Sequence, residues 1–269
     1  MPGKVQKYRP FGEVTRGKTA RNRLRRVDIF LLMVAGDLIR RQDGLFRQAL
    51  YVDLGYGAEA FTTLESARRF RGQNPDLRVL GVEIEPERVA AALPYADENT
   101  FFRLGGFNLP LQPGETVRLI RAFNVLRQYR EAEVQEAHRL MGSYILPGGL
   151  LIEGTSDPLG RVWTANLLRR KVDGLEMEGL VFSTNFRGGF EPGIFQPVLA
   201  KNFIHRMLPG EKIHQFFEDW KEAARQVISF KSLGLRQWFM ASAKELKMAG
   251  YDLDIRQKYL SRGFLFWRW

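Results

Sequence analysis

Tyr51-Val52-Asp53-Leu54-Gly55-Tyr56-Gly57-Ala58-Glu59-Ala60-Phe61 decides the fold. Residues 49–54 form a short apolar run interrupted only by Asp53, the composition of a central strand in a parallel sheet. Gly55 and Gly57 then permit a tight turn and let a ligand approach the backbone, since neither carries a Cβ. Residues 62–70 place Leu64, Ala67 and Phe70 at helical spacing. Strand, glycine turn and helix in this order make the ligand-binding corner of an open α/β sheet.

The same alternation continues downstream. Residues 78–85 read as a second strand ending in acids, and Pro86 takes the first position of a short helix reaching residue 93. Glu83 lies 26 residues beyond Gly57 (83 − 57), at the strand tip, where a carboxylate accepts hydrogen bonds from both hydroxyls of a ribose. A third strand at 100–104 runs into Gly105-Gly106-Phe107-Asn108-Leu109-Pro110. A fourth at 115–123 carries Arg118 and Arg121 and leads into Asn124-Val125-Leu126-Arg127-Gln128-Tyr129. A helix over 131–140 precedes a fifth strand at 150–157, and 161–170 and 178–186 alternate as two strands joined near Asp173-Gly174. Upstream, Asn22 caps a helix running to residue 41. Downstream, a break at 190–197 precedes helices over 211–227 and 235–249. The tail Phe264-Leu265-Phe266-Trp267-Arg268-Trp269 is too aromatic to stand in solvent and is expected to dock on the domain or a partner.

The expected fold is therefore α/β: a Rossmann-like open sheet, mostly parallel with an antiparallel hairpin at the end, helices on both faces and a C-terminal helical extension. Its parts are a basic extended arm (1–21), the α/β domain (22–190) and a mainly helical extension packed on the same domain (191–269).

Gly55-x-Gly57-x-x-Ala60 fits the dinucleotide-binding pattern, which alone is weak. In nicotinamide and flavin folds, however, the strand residues before the first glycine are usually apolar, and here Asp53 stands two places before it. Val52-Asp53-Leu54-Gly55-Tyr56-Gly57 resembles the first motif of class I S-adenosylmethionine (SAM)-dependent methyltransferases, and Glu83 followed by Pro86 resembles the second. The resemblance covers about residues 45–186 on sequence pattern. It implies SAM as cofactor, with Asp53, Gly55, Tyr56 and Gly57 around its amino-acid end, Glu83 and Ile84 at the ribose, Gly106 and Phe107 beside the adenine, and Asn124 facing the sulfur and the acceptor. The family often places an Asp in the adenine loop, where this chain has Gly106 or Phe107. The Asn124 stretch lacks the two prolines of Asn-Pro-Pro-Tyr that would mark methylation of an exocyclic base nitrogen, and is closer to an Asn-Val-Leu version found with varied specificities.

Methyl transfer from a sulfonium asks the protein mainly for alignment and exclusion of water, and for a general base only where the acceptor must lose a proton. The catalytic candidates at the strand ends are Asn124, Tyr129, Glu153 and Asp157, none singled out by spacing. His138, His205 and His214 are scattered without a third ligand at useful spacing, and there is no cysteine, so no metal is expected and the histidines are given surface or capping roles.

Of the net charge of +11, residues 1–26 contribute nine bases less Glu13, or +8, leaving +3 for the remaining 243 residues. Such a concentration suits an arm touching phosphates, with Arg16, Lys18, Arg21, Arg23, Arg25 and Arg26 as the contacts and RNA as the first acceptor class. Small-molecule methylation is the next, with the arm folding over the cofactor as a lid. Gly12-x-x-x-x-Gly17-Lys18-Thr19 matches the P-loop pattern, but no buried strand precedes it to deliver the loop, and the match is taken as chance. The apolar stretch 29–36 is too short to span a bilayer and lacks a signal peptide's layout, so a cytoplasmic protein without a membrane partner is expected. Two other functions compete: a non-catalytic SAM- or nucleic-acid-binding protein on the same fold, and a nicotinamide oxidoreductase, which Asp53 and the strand hairpin disfavour.

Overall fold

The computed structural model describes residues 8–269. Its centre is β1 (Leu50–Leu54), buried along its whole length. β2 (Val79–Glu83) pairs with it on one side and β4 (Val117–Phe123) on the other, both parallel, with β3 (Thr100–Leu104) and β5 (Ile145–Ser156) completing the parallel half. The chain therefore leaves β1 in one direction to build β2 and β3, and later returns to its other side for β4 and β5. That reversal between β1 and β4 opens a crevice at the carboxyl ends of the strands.

β6 (Val162–Arg170) and β7 (Leu175–Thr184) follow as the expected antiparallel hairpin on β5. The sheet does not end there. The aromatic tail becomes β9 (Phe264–Arg268), antiparallel to β7, and β8 (Leu253–Asp254) closes the far edge, giving nine strands in the order β3-β2-β1-β4-β5-β6-β7-β9-β8 among the described residues. The C-terminal part is thus helices plus two strands. Alternation explains why: Phe264 and Phe266 join the core on one face of the sheet, while Leu265 and Trp267 join a second core on the other.

The helix expected over 22–41 is broken at Ala35 into α1 (Arg25–Val34) and α2 (Gly36–Arg40). These two helices and α3 (Phe61–Arg71) cover one face of the parallel half, with Val27, Phe30, Leu31 and Phe70 against Tyr51 and Leu119. α4 (Pro86–Ala92) follows β2 with Pro86 in its first turn. α5 (Glu131–Ser143) covers the opposite face, where Val134, Ala137 and Met141 meet Val52, Ile120 and Leu151. α6 (Lys201–Ile204), α7 (Lys212–Gln226), α8 (Leu235–Met248) and α9 (Gln257–Leu260) complete the chain. α7 and α8 pack an aromatic cluster on the antiparallel half, in which Trp267 stacks on Phe216 with centroids 4.0 Å apart. No helix among the described residues is long and apolar enough to cross a membrane.

Candidate functional site: a crevice filled by the N-terminal segment

The crevice at the carboxyl ends of β1, β2 and β4 is walled by Leu54, Gly55, Glu83, Ile84, Gly106, Phe107, Val125 and Tyr129. Gly55 and Gly57 hold φ of +73° and +90°, conformations that side chains other than glycine's rarely tolerate. Glu83, buried at the tip of β2, accepts the amides of Gly57 and of Ile84, each at 2.9 Å, and pairs with Arg88 at 3.5 Å. Phe107 and Tyr129 meet as tilted rings 5.3 Å apart.

The rest of the crevice is occupied by the chain itself. Residues 8–20 have no regular secondary structure and run as a strap along the carboxyl edge of the sheet. Past β3, the Asn108 side chain donates to the Arg9 carbonyl (2.8 Å) and accepts from the Phe11 amide (2.6 Å), while the Phe11 carbonyl accepts from the Phe107 amide at 2.8 Å. Gln128 donates to the carbonyls of Glu13 and Val14, and the Tyr129 hydroxyl accepts from the Glu13 amide. Arg88 donates to the Thr15 carbonyl at 2.9 Å and pairs with Glu85 at 2.7 Å. Over the glycine turn, the Gly17 carbonyl accepts from the Ala58 amide at 2.8 Å and the Thr19 hydroxyl donates to the Tyr56 carbonyl at 2.9 Å. A Cβ on Gly57 would strike Thr19 and Gly17, and one on Gly106 would strike the Phe11 carbonyl. The bare backbone at those two glycines is being used, and the user is the strap. About 20 Å³ of free space remains, room for about one water.

The predicted cofactor residues divide accordingly. Gly55, Glu83, Ile84, Gly106 and Phe107 line the crevice. The Tyr56 ring packs on Phe102 and its hydroxyl donates to the Arg88 carbonyl at 3.4 Å, while the Gly57 backbone lies beneath the strap. Asp53 does not reach the crevice. Its side chain points with that of Tyr51 towards α1 and α3, accepts from the hydroxyls of Thr62 and Thr63 at 2.8 Å each, and pairs with Arg121 at 2.8 Å. Arg121 also pairs with Asp28 and donates to Ser66 and to the Thr62 carbonyl; Arg69 supplies a second cation to Asp28. Two acids and two arginines thus form one paired set, buried except at Arg69. Burial alone would lower the Arg121 pKa, but Asp53, Tyr51 and Asp28 carry it above its ordinary value.

The catalytic candidates fare unevenly. Asn124, at φ +61°, is locked to Ser156: its carbonyl oxygen accepts from the Ser156 amide (3.0 Å) and its amide group donates to the hydroxyl (3.2 Å). Tyr129 lines the crevice, and burial pushes its phenol above the ordinary range. Glu153 is buried between β5 and its neighbours, accepting from Asn166 at 2.8 Å and lying 3.3 Å from His138, which is itself buried on α5 and neither a surface residue nor a cap. Asp157 caps the turn after β5 by accepting from the Arg161 amide.

In the basic set, Arg16, Lys18, Arg21 and Arg25 are exposed, Arg21 over the Phe61 ring. Arg23 donates to the carbonyls of Ser156, Asp157 and Lys18, and Arg26 to Ser183 and the Arg262 carbonyl. The P-loop-like segment Gly12–Thr19 follows no strand among the described residues, and Lys4 and Lys7 lie outside them. Arg88, one of the residues that join strap to crevice, was missed, because one arginine on a short helix carries no sequence signal. No group of three or more metal-ligating side chains occurs among the described residues.

No protein-family model matches the chain, and no curated protein sequence does. Solved structures similar to it include a pericyclic reaction enzyme (19% identity, TM-score 0.32, 40% of this chain and 27% of that one). Others are magnesium protoporphyrin IX methyltransferase (ChlM) from Synechocystis PCC 6803 with bound SAH (19%, 0.36, 49% and 54%) and the N-methyltransferase NodS from Bradyrhizobium japonicum WM9 (19%, 0.33, 50% and 68%). The chain spans about a quarter of the length of the first of these and about half of the second.

Proposed function

We propose that the chain is a SAM-dependent methyltransferase whose donor site is the crevice beneath the strap. The observation that supports this most is the placement of Glu83 and the Gly55–Gly57 turn side by side at the switch point between β1 and β4. The resemblance of Val52–Gly57 and of Glu83 with Pro86 to the methyltransferase motifs is what suggests the donor's chemical class. A glycine edge that admits the Phe11 carbonyl or the Gly17 carbonyl has room for a ligand atom once the strap leaves. Glu83 and Ile84 would then hold the ribose, Gly106 and Phe107 the adenine, Gly55 and Gly57 the amino-acid end, with Asn124 held towards the acceptor.

SAM supplies an electrophile already activated by its positive charge. The chain's contribution is orientation and dryness, with Phe107 and Tyr129 as the apolar wall. Apart from the strap's own residues, the lining has one carboxylate, Glu83, and no histidine. Tyr129 stays a protonated hydroxyl at neutral pH and orients the acceptor rather than deprotonating it. An acceptor that is nucleophilic without the protein's help fits best. RNA is the acceptor class proposed, supported by the four exposed bases Arg16, Lys18, Arg21 and Arg25 on and beside the strap.

Because SAM does not fit into about 20 Å³, the strap gates the site. The test is calorimetric titration with SAM of the full chain and of an Asn108→Ala/Gln128→Ala variant, which loses strap anchors outside the glycine turn. The variant should bind SAM several-fold more tightly than the parent, and methyl transfer to RNA, DNA, protein and metabolite pools then identifies the acceptor. A second function is favoured by one observation, the full engagement of Asp53 by Arg121: a non-catalytic protein in which the strap permanently replaces the cofactor. Absence of SAM binding by parent and variant alike would overturn the donor site and favour that second function.

A further inference from the structure

A second cavity, of about 230 Å³, opens farther along the same edge of the sheet, where α1 and α8 begin and β7 gives way to β9. Arg26, Arg236 and Arg262 line it together with Asn185, Phe186 and Ser261, and no carboxylate does. Among the described residues none of the three arginines takes part in an ion pair, and residues 1–7 contain no acid that could supply one.

Arg26 is held in place from behind. Its Nε and Nη2 donate to the Ser183 hydroxyl at 3.1 and 2.9 Å, Nη2 also donates to the Arg262 carbonyl at 2.6 Å, and the guanidinium carbon stands 4.6 Å from the Phe264 ring centroid. Its Nη1 has no protein partner among the described residues. Burial, and then the neighbouring Arg236 charge, lower its pKa to about 10. Phe186 has φ +64°, a conformation that bulky residues rarely adopt and that is retained where the surroundings over-determine it. Its ring lies 5.7 Å from the Arg236 guanidinium and packs on Phe239. Like charges gathered round a cavity, with Arg26 fixed from behind and Arg236 beside the strained Phe186, are the reverse of what packing alone selects.

We infer that this cavity binds a phosphate group carried on a small molecule, with the guanidiniums of Arg26, Arg236 and Arg262 as its ligands. Guanidinium forks match tetrahedral oxyanions in geometry, and a dianion relieves the repulsion among three cations. The volume lies below the roughly 300–1,000 Å³ of drug-sized pockets, so a phosphate with a few carbon atoms fits it. The site stands whether or not the crevice binds a methyl donor.

Titration of the full chain with inorganic phosphate at constant ionic strength, followed by calorimetry with acetate as the control anion, tests this. Phosphate should bind saturably at one site. The Arg236→Ala/Arg262→Ala variant, which alters two exposed side chains, should weaken it by about tenfold or more, as loss of charge-assisted hydrogen bonds does. Arg47→Ala, an exposed change before β1 at the opposite edge of the sheet, should leave the affinity unaltered. No saturation, an affinity unchanged in the double variant, or a response to an oligonucleotide but not to phosphate would each overturn the inference.

Discussion

The amide of Phe107 donates to the carbonyl of Phe11 across 2.8 Å, so the backbone edge that follows β3 is taken by a segment nearly a hundred residues away in sequence. Gly106 makes this approach possible, since a Cβ there would collide with that carbonyl. Backbone cannot swing aside as the end of a flexible side chain can. Gly106→Ala should therefore unseat the strap and speed tryptic cleavage after Arg16 and Lys18 by roughly two- to tenfold, the effect of losing one hydrogen bond from a local opening equilibrium. Unchanged cleavage would show that the strap is not seated there.

Arg121 is the hub of the buried set below β1. Arg121→Met leaves Asp28 and Asp53 without their shared cation, and should cost about 3–5 kcal/mol in urea unfolding. Asp53→Asn leaves Arg121 paired with Asp28 and should cost less, about 1–3 kcal/mol. A larger loss for Asp53→Asn than for Arg121→Met would reverse the assignment of the hub.

Glu115 accepts from Arg103 at 2.9 Å and from the Gln112 amide at 2.9 Å. Burial pulls its pKa up, but the Arg103 and Gln112 hydrogen bonds and the nearby Arg78 outweigh it, and the carboxyl is held below its ordinary 4.5. A carboxyl with a depressed folded-state pKa contributes its full stabilisation above the unfolded value, and loses it as pH falls through the folded one. The stability difference between the parent and Glu115→Gln should accordingly be constant from pH 7 to about pH 5 and shrink below about pH 4. Urea titrations at four pH values measure it, and a difference that grows on acidification contradicts the sign.

Trp267 joins the sheet to the aromatic cluster through its 4.0 Å stack on Phe216. Trp267→Ala should lower the unfolding free energy by about 3–5 kcal/mol. Deleting residues 264–269 removes β9 altogether, exposes the β7 edge, and should bring concentration-dependent aggregation visible by light scattering. A monomeric truncated chain of parental stability would mean that β9 contributes little.

Much of the architecture was legible because its signals are local. The apolar run of β1, the glycines behind it, Pro86 at the start of α4 and the alternation of β6 and β7 each lie within a few residues. The tail was expected to dock on the domain or a partner from its aromatic content, but its place between β7 and β8 was not legible, because strand pairing across about eighty residues leaves no mark in either segment. Arg118 places a charge in a strand that is buried throughout. The fold explains it by five backbone carbonyls, among them those of Leu38, Ile39 and Ala49, which its guanidinium satisfies.

The sequence by itself determined that a strand, a bare turn and a helix would form an open α/β corner with Glu83 at the neighbouring strand tip. Those features follow from side-chain period and from glycine's freedom, both properties of contiguous residues. Only the tertiary structure decided what Asp53 serves and what fills the crevice. Arg121 comes beside Asp53 through the pairing of β4 with β1, and once there it claims the carboxylate in a dry interior where an unpaired charge is too costly to leave. The strap finds its seat through carbonyls and amides that every residue carries, and such groups have no letter in the sequence.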